Sequence, residues 1–455
     1  MPERFSPQRV FVIGSAVTLP YQSTAELITS PDELNQIVTD PNGSLIAELQ
    51  PERRDPLRNN EGRALGNFFP GNYLYPVKSW EIFKATIPDT WVPPKFKSRS
   101  VSEALAVATS LRALHDAGIV LDDINNEQLI VATGFTNSTG PLEIVAKIIL
   151  DGSVKLDRNY LMAARAGLSD FTNTALREAT LFPGPSILHQ AACTTSLFNI
   201  FDGYRYLRWG EADLAVVGDS EVDAINLWIY ILTKIGAIAN YHAFHDYPSI
   251  AVNPGDINPH GLVFSEGAVC FVLATENTVQ KLKIPRENIQ AEIIGGATGH
   301  DGNRLVPPNP PRELPRVMRT AIDNAQITPQ EIGVLIPHGT GTKDGDSHDW
   351  QSATTVFQYN PDGDNSKLPN VTYPKSTTGH AMAASGGLST MTAMDIFQRG
   401  EIPPAKNISQ PHPMTFNIVY QHPHPWTGDY IEVCAVGMTG TVAAVIYRRP
   451  TDINF

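Results

Sequence analysis

Residues 185–198 read Pro185-Ser-Ile-Leu-His-Gln-Ala-Ala-Cys193-Thr-Thr-Ser-Leu-Phe198, an apolar run that ends at a cysteine and continues as a helical pattern. The helical pattern consists of apolar residues at three- and four-residue steps, namely Leu197, Ile200, Phe201, Tyr204 and Leu207. We therefore predict a buried strand, a turn at Cys193 and a helix after it. The candidate caps of that helix are Thr194, Thr195 and Ser196.

The position of Cys193 indicates a nucleophile. A thiol at a helix N-terminus lies at the positive end of the helix dipole, which favours the thiolate. We therefore expect the pKa of Cys193 to lie below the free value of about 8.5. The alternative is a small buried core cysteine, which is our interpretation of Cys270 and Cys434 because both lie inside apolar runs.

Composition narrows the functional classes. The 455 residues include 34 Lys and Arg against 47 Asp and Glu, and the formal net charge of −13 disfavours nucleic acid as a partner. Cysteines without C-x-x-C spacing argue against a disulfide framework and a structural zinc site. Because we find neither an apolar run of membrane-spanning length nor an apolar signal region, we expect a soluble cytoplasmic protein without a membrane partner.

The chain contains an internal duplication. An apolar helical stripe, a polar linker and an apolar strand occupy residues 101–132 and recur in residues 314–336. The strand, turn, helix and strand of residues 185–217 likewise correspond to residues 370–434, where His380 lies at the turn. Two such units, each too open to bury its own sheet, predict a layered α/β body in which the copies pack together.

We place the first unit at residues 1–280 and the second at residues 281–455. Residues around 20–98 are rich in Pro, Asn and Gly, and we interpret them as insertions of loops and short helices that cover an edge or entrance. Because open α/β sheets bind ligands beyond the carboxyl ends of their strands, the turns of both units are expected to meet at one pocket.

Two further segments combine polar side chains with glycines. They read Pro337-His338-Gly-Thr-Gly-Thr-Lys-Asp-Gly-Asp346-Ser-His-Asp349 and Lys375-Ser-Thr-Thr-Gly-His380-Ala-Met-Ala-Ala-Ser-Gly-Gly387. Small residues allow close approach of the backbone, and two histidines and a lysine beside them indicate a catalytic centre. Gly339-Thr-Gly341 lacks the third glycine of a dinucleotide fingerprint, and we find neither a G-x-S-x-G motif nor a phosphate-binding loop.

Three blocks, taken in chain order, resemble the signature segments of the β-ketoacyl synthases, including those of type II polyketide synthases. The blocks are Ala192-Cys193-Thr-Thr-Ser196, His338-Gly-Thr-Gly-Thr342 with Asp346, and Lys375-Ser-Thr-Thr-Gly-His380. The resemblance extends from about residue 9 to residue 447. It implies the thiolase fold, a duplicated five-layered αβαβα architecture, and decarboxylative condensation of an acyl group on Cys193 with malonyl on an acyl carrier protein.

The resemblance also implies roles for individual residues. The implied catalytic residues are Cys193, His338, His380 and Lys375, with the backbone N–H groups of Cys193 and Met438 as the oxyanion hole. The implied supporting network comprises Asp346 and Asp349, which would hold Lys375 so that it orients His380, and Glu266. The phosphopantetheine arm would contact Thr340 and Thr342. Both imidazoles would be neutral, no metal or bound cofactor would be needed, and the carrier protein would supply the phosphopantetheine.

The sequence departs from the family pattern at three places, one of which is a loose opening glycine motif, Gly14-Ser-Ala-Val-Thr18. Met438 stands where the family has a gating phenylalanine, and Pro259-His260-Gly261 replaces Arg-Asp-Gly. Methionine restricts shape less than phenylalanine, so we expect altered gating of the acyl chain. These departures favour a specialised polyketide or fatty-acid-like pathway.

The resemblance predicts two kinds of protein partner. One is an acyl carrier protein, with basic docking candidates Lys95, Lys97, Arg99, Arg205 and Arg208, although a solvated helix entrance explains these charges equally well. The other is a second subunit, in a homodimer or in a heterodimer with a chain-length factor. The alternatives are a non-condensing acyltransferase or chain-length partner, a Cys-His thioester hydrolase, and a purely structural subunit of a synthase complex.

Overall fold

The computed structural model describes residues 7–20, 27–40, 44, 47–48, 70–72, 86, 101–135, 170–221, 232–233, 235–244, 247–302, 311–358, 367–413 and 416–451. Most of the insertion predicted around residues 20–98 lies outside this part of the chain. The docking candidates Lys95, Lys97 and Arg99 also lie outside it. No helix in the described ranges is both long and apolar enough to cross a membrane.

The elements of the described residues are numbered in chain order. The strands are β1 (Val10–Pro20), β2 (Leu27–Ile28), β3 (Ala47–Glu48), β4 (Pro70–Asn72), β5 (Val131–Gly134), β6 (Leu214–Glu221), β7 (Phe264–Ser265), β8 (Gly267–Thr275), β9 (Ala291–His300), β10 (Ile332–Ile336), β11 (Asn370–Val371), β12 (Glu401–Ile402), β13 (His424–Pro425), β14 (Tyr430–Val436) and β15 (Thr441–Arg448). The α-helices are α1 (Pro31–Thr39), α2 (Val101–Asp116), α3 (Leu121–Asn126), α4 (Phe171–Thr180), α5 (Thr195–Arg208), α6 (Tyr241–Phe244), α7 (Glu276–Lys281), α8 (Glu313–Asn324), α9 (Lys343–Phe357), α10 (Lys375–Thr378) and α11 (Ser385–Arg399). The 3₁₀ turns are Ala192–Thr194, Pro248–Ile250, Arg286–Asn288, Pro329–Glu331 and Met382–Ala384.

The main sheet consists of two half-sheets with the same strand order. Its strands run β11-β10-β14-β15-β9-β1-β8-β6-β5, and β2 pairs with β1. In the second half-sheet, β11-β10-β14-β15-β9, the order along the chain is third, second, fourth, fifth, first. The first half-sheet repeats this order when the isolated parallel bridge between Thr133 and Ser186 is taken as its third strand. Parallel and antiparallel pairings also agree between the halves.

The buried strand predicted before Cys193 is reduced to that single bridge. The carbonyl groups of Pro183 and Pro185 accept hydrogen bonds from Val131 and Thr133 of β5 at 2.8 and 3.1 Å. Proline has no N–H group with which to extend a ladder, so regular pairing ends here. The expected strand was wrong for this reason, although its position beside β5 is kept.

Three layers of helices enclose the two half-sheets. Helices α5 and α11 contact each other and strands of both half-sheets, so they form the middle layer. Helix α2 packs on β1, β6 and β8 of the first half-sheet, and α8 packs on β9 and β15 of the second. The predicted five-layered αβαβα arrangement is thereby confirmed. The division of the chain at residues 280 and 281 stays a prediction.

The helix after Cys193 follows the predicted stripe, but its predicted caps are wrong. Leu197, Ile200 and Leu207 are fully buried. The hydroxyl of Thr194 donates to the carbonyl of Ala191 at 2.6 Å, and that of Thr195 donates to the carbonyl of Ala192 at 2.7 Å. Ser196 accepts from the N–H of Gly387 in α11 at 2.8 Å. These hydroxyls therefore fix the turn and join the two middle helices instead of capping α5.

The two middle helices begin in the same way. The 3₁₀ turn that precedes α5 starts at Ala192, where φ is 48°, and the turn that precedes α11 starts at Met382, where φ is 37°. Left-handed backbone at non-glycine residues is uncommon and is often found at functional sites. The two turns contact each other, which brings Cys193 of the first unit next to the second unit.

Candidate active site

A cavity of about 200 Å³ lies where the two turns meet. Residues from both units line it, including Cys193, His338, Thr340, Thr342, His380 and Met438. The sequence predicted these six residues separately, from four segments of the chain. Their convergence provides one space in which a nucleophile, two imidazoles and polar threonine side chains face a common ligand.

Cys193 and His380 are in direct contact. The distance between Cys193 Sγ and His380 Nε2 is 3.1 Å, and both residues are buried. The backbone of His380 is fixed on both sides, because its N–H donates to Val263 at 2.7 Å and its carbonyl accepts from Ser265 at 3.1 Å. The imidazole is therefore held against the sulfur by the β7 region, within reach of the thiol proton.

His338 follows β10 and faces His380. The centroids of the two rings are 5.3 Å apart and the planes are nearly perpendicular, at 82°. Gly339 has a φ of 51°, and a Cβ atom there would lie 2.2 Å from the ring of Tyr373. Only glycine allows this turn, which explains the His-Gly sequence on physical grounds.

Lys375 supports His338 rather than His380. Its Nζ donates to the carbonyl oxygen of His338 at 2.5 Å, and the residue is buried. The sequence interpretation had Lys375 orienting His380. The structure places the lysine under the backbone of the other histidine, while its positive charge still acts on both rings.

Asp346 and Asp349 hold the loop after His338. Asp346 accepts from the N–H groups of Gly341 and Gly255 at 3.0 and 3.1 Å, and Asp349 accepts from that of Gly339 at 2.6 Å. Neither carboxylate forms an ion pair with Lys375, although all three residues are described. The hydrogen bonds of both carboxyl groups go to glycine N–H groups, while their charges still act on Lys375 and raise its pKa against the larger effect of burial. Burial, together with Asp349, raises the pKa of Asp346 to about 8, and burial raises that of Asp349 to about 7.

The remaining predicted residues are Glu266, Thr340 and Thr342. Glu266 is fully buried beside β7. Thr342 is the N-cap of α9 and accepts from the N–H of Gly345 at 3.2 Å, and its hydroxyl lies 2.9 Å from that of Thr340. The capping role of Thr342 was missed, although a threonine before a helix is a recognisable signal.

Burial keeps both histidines neutral. It is the largest cause that lowers the pKa of His338 and His380 well below the ordinary value of 6.5, and the charge of Lys375 acts in the same direction. A neutral imidazole can donate a hydrogen bond from one nitrogen and accept a proton at the other. The site therefore presents two such groups at neutral pH.

The pKa of Cys193 is raised, contrary to the expectation from the helix dipole. Burial raises it to about 11, while the charge of Lys375 and the N–H of Met438 act to lower it. Desolvation of a fully enclosed sulfur therefore outweighs the helix end. Cys193 is a thiol at neutral pH, and its activation requires transfer of the proton to a base such as His380.

The raised pKa predicts the alkylation behaviour of Cys193. Because the thiolate is the reactive form, the rate of alkylation by iodoacetamide should rise about tenfold per pH unit from pH 7 and continue to rise beyond pH 9. Intact-mass measurement of labelling, with Cys193→Ala as the blank and N-acetylcysteine as the free thiol, tests this. A rate that levels off below pH 8 would instead support the dipole-lowered pKa.

Two backbone N–H groups lie near the sulfur. The N–H groups of Met438 and of Cys193 itself both act to lower the pKa of the thiol. The loop that carries Met438 is fixed by the N–H of Gly437, which donates to the carbonyl of Thr441 at 2.7 Å. An oxyanion hole needs two such donors aimed at the oxygen of the attacked carbonyl, so the role of Cys193 and Met438 in it stays a prediction.

The three central side chains also satisfy the spacing of a metal site. The ligand atoms of Cys193, His338 and His380 all lie within 4.8 Å of one another. Cysteine and histidine are the ligands that Zn²⁺ prefers. A metal-free reaction at this site stays a prediction from the sequence.

The docking candidates Arg205 and Arg208 lie away from the cavity. They occupy the last turn of α5, about 15 Å (Arg205) and about 20 Å (Arg208) along the helix axis from its start near Cys193. Arg205 pairs with Asp202 at 3.0 Å, and the Arg208 guanidinium lies 5.6 Å from the centre of the Tyr204 ring. A role in docking stays a prediction for both.

Several residues near the cavity were missed in the sequence. The hydroxyl of Ser385, at the start of α11, donates to the carbonyl of Cys193 at 3.4 Å, and Glu221 of β6 accepts from the N–H of Ala383 at 3.2 Å. His348 and Asp301 line the cavity itself. An isolated serine or alanine gives no indication of function in a sequence. Ser385 and Ala383 could have been found only from the correspondence between the two turns.

Comparison with known proteins agrees with the geometry. Residues 8–278 match the N-terminal domain of β-ketoacyl synthase and residues 290–409 match its C-terminal domain. The chain belongs to the β-ketoacyl synthase family. It is therefore an acyl-transferring enzyme of the condensing type, and the resemblance inferred from the three sequence blocks is confirmed.

Relatives of this β-ketoacyl synthase include fatty-acid and polyketide enzymes. The chain is 26% identical over 311 residues to the 3-oxoacyl-[acyl-carrier-protein] synthase 2 of Coxiella burnetii, covering 67% of this chain and 71% of the relative. It is 26% identical over 355 residues to the tetracenomycin polyketide synthase ketoacyl synthase alpha subunit of Streptomyces glaucescens, covering 76% and 81%. The crystal structure of a β-ketoacyl synthase from Burkholderia phymatum STM815 superposes with a TM-score of 0.80 over 97% of this chain and all of the other, at 19% identity, which confirms the thiolase fold.

Proposed function

We propose that the protein is a β-ketoacyl-[acyl-carrier-protein] synthase that joins an acyl group on Cys193 to malonyl with loss of CO₂, in a specialised polyketide or fatty-acid-like pathway. The observation that carries the proposal is the contact of Cys193 Sγ with His380 Nε2 at 3.1 Å in a cavity that also contains a second neutral imidazole. A Cys-His hydrolase needs one histidine, so His338 would have no role in it.

In the first half-reaction the sulfur attacks the thioester carbonyl of an acyl carrier protein. His380 accepts the thiol proton as the S–C bond forms, and the N–H groups of Cys193 and Met438 stabilise the oxyanion. The carbonyl is restored when the thiolate of the phosphopantetheine arm leaves. This thiolate takes up the proton that His380 had accepted, so His380 is neutral again.

In the second half-reaction malonyl enters on a carrier arm that Thr340 and Thr342 contact. Its carboxylate leaves as CO₂, and the electron pair of the broken C–C bond forms an enolate whose oxygen accepts hydrogen bonds from His338 and His380. The enolate carbon attacks the acyl carbonyl on Cys193. The sulfur leaves as a thiolate and takes up a proton from solvent, because its original proton left with the phosphopantetheine thiol, and the β-ketoacyl product stays on the carrier.

This proposal implies partners and a location. The carrier protein brings the phosphopantetheine, so the enzyme itself needs no bound cofactor. A second subunit is part of the proposal, either another copy or a chain-length factor, since a relative is named as an alpha subunit. A cytoplasmic location also belongs to the proposal.

Intact-mass analysis with a panel of acyl-carrier thioesters tests the proposed function. We expect acyl groups to load on the wild-type protein and not on Cys193→Ala, and malonyl-carrier to convert the loaded acyl group into a β-ketoacyl-carrier. Release of free acid without a new carbon–carbon bond would support the hydrolase. Loading without condensation by the isolated chain, restored by a second subunit, would identify a heterodimer.

Reversal of charge tests the docking proposal for α5. The double substitution Arg205→Glu with Arg208→Glu should slow acyl transfer from the acidic carrier about tenfold at low salt and weaken the dependence of the rate on salt. Lys281→Glu with Lys283→Glu, another pair of basic residues on the chain, is the control. Unchanged kinetics would remove α5 from the docking surface and leave residues 95–99 as the candidate.

A further inference from the structure

His348 has no role in the condensation chemistry, yet it lines the same cavity as Cys193. It lies in the second turn of α9, two residues after Asp346, and only 3% of its surface is exposed. Neither ring nitrogen has a hydrogen-bond partner among the described residues. A buried imidazole whose donor and acceptor both stay unpaired within the described part of the chain is unfavourable, and a ligand group in the cavity would supply the missing partner.

Asp301 stands opposite His348 across a gap. Its Oδ2 lies 3.9 Å from His348 Nε2, which is too long for a hydrogen bond. The carboxylate is held in place, because its Oδ1 accepts from the N–H of Glu313 at 3.1 Å and its own N–H donates to Gly440 at 2.7 Å. Gly440 belongs to the loop of Met438, so the pair lies between that loop and α9.

The two side chains select for a particular chemistry. Burial lowers the pKa of His348 to about 4, so the ring is neutral and offers one donor and one acceptor, while Oδ2 of Asp301 is an acceptor atom beside it. A carboxylate has no donor for the oxygen of Asp301, and an alkyl chain would leave both ring nitrogens unpaired. A group that contains both a donor and an acceptor, such as a secondary amide or a hydroxyl, can form hydrogen bonds with His348 and with Asp301.

We propose that His348 and Asp301 form a polar subsite that binds a secondary amide or hydroxyl group of the thioester substrate and thereby selects it. This inference rests on the proposed function for its ligand, because that function brings thioesters into the cavity. The group comes either from the phosphopantetheine arm, which contains secondary amides, or from an oxygenated acyl chain. His348 is a specificity-determining residue in this proposal and takes no part in bond making.

The experiment varies the substrate and the residue together. One saturated acyl group is supplied as its pantetheine, N-acetylcysteamine and ethanethiol thioesters, and a 3-hydroxyacyl group is supplied as its ethanethiol thioester. The rate of acylation of Cys193 is measured by intact mass for the wild type, His348→Leu and His348→Gln. Glutamine keeps a donor and an acceptor, so it controls for damage to the fold.

We expect His348→Leu to slow acylation by about 3- to 10-fold for thioesters that reach the subsite with an amide or hydroxyl, the loss of one neutral hydrogen bond. The saturated ethanethiol thioester should be unaffected, and His348→Gln should restore most of the rate. Loss with the pantetheine thioester identifies the arm as the source, and loss with the 3-hydroxyacyl thioester identifies the chain. An equal effect on all thioesters, or on none, overturns the proposal.

A binding measurement separates this proposal from the proposed function. The dissociation constants of pantetheine and of a 3-hydroxyacyl amide are measured by calorimetry in the Cys193→Ala background, where no reaction takes place. His348→Leu should weaken one of them by about 3- to 10-fold. Failure of the wild type to become acylated would contradict condensation alone, whereas unchanged dissociation constants for both ligands would contradict the subsite alone.

Discussion

Cys193→Ala is expected to abolish acylation of the protein and to lower condensation by at least about 10³-fold. The same variant should still release CO₂ from a malonyl thioester, because His338 and His380 remain to stabilise the enolate. The physical reason is that the sulfur forms the covalent bond to the acyl group, whereas the imidazoles act on the extender. Acylation is followed by intact mass and CO₂ release by loss of malonyl thioester.

The matched control for this variant is Cys270→Ala. Cys270 is also a fully buried cysteine, but it lies in β8 on the side of the sheet that packs against α2. The control removes the same sulfur atom from a core position and should keep acylation and condensation. Persistent acylation of Cys193→Ala at another residue would contradict the assignment of the nucleophile.

His338→Ala and His380→Ala are expected to lower decarboxylation by about 10²- to 10⁴-fold each, because each removes one donor to the enolate oxygen. The two variants should differ in the first half-reaction. His380 contacts Sγ at 3.1 Å and accepts its proton, so His380→Ala should also slow acylation, whereas His338→Ala should leave acylation close to that of the wild type.

Acylation and CO₂ release measured on the same preparations separate the two roles. His424→Ala, at an exposed histidine in β13, is the control for loss of an imidazole. Equal loss of acylation in both active-site variants would contradict the division of roles. Normal decarboxylation in either variant would contradict the enolate contacts.

Features with a local cause were predictable from the sequence. The apolar spacing from Leu197 to Leu207 predicted the helix. Reactive side chains next to small residues after strands predicted the catalytic roles of Cys193, His338 and His380. Duplicated patterns also predicted that both units contribute to one cavity. These features depend on residues close together in the chain, so their spacing was sufficient.

Features that depend on distant packing were not predictable. The pKa of Cys193 is set by enclosure between the two units, which outweighs the helix end that the sequence shows. Lys375 reaches the carbonyl of His338 because β10 and the turn before α10 are neighbours in space. The sequence gives no signal for His348, because the lack of hydrogen-bond partners for its ring nitrogens and its proximity to Asp301 depend on the folded structure.

The two left-handed turns at Ala192 and Met382 have a consequence for how one chain carries out a two-substrate reaction. Each turn begins a middle helix in the same way, and the residue that follows is Cys193 in one unit and Ala383 in the other. A duplicated scaffold would otherwise supply two competing covalent attachment points a short distance apart. Because the second unit has Ala383 at the position of Cys193, the acyl group is attached at one position of this pair. The second unit instead contributes His338 and His380, which stabilise the enolate.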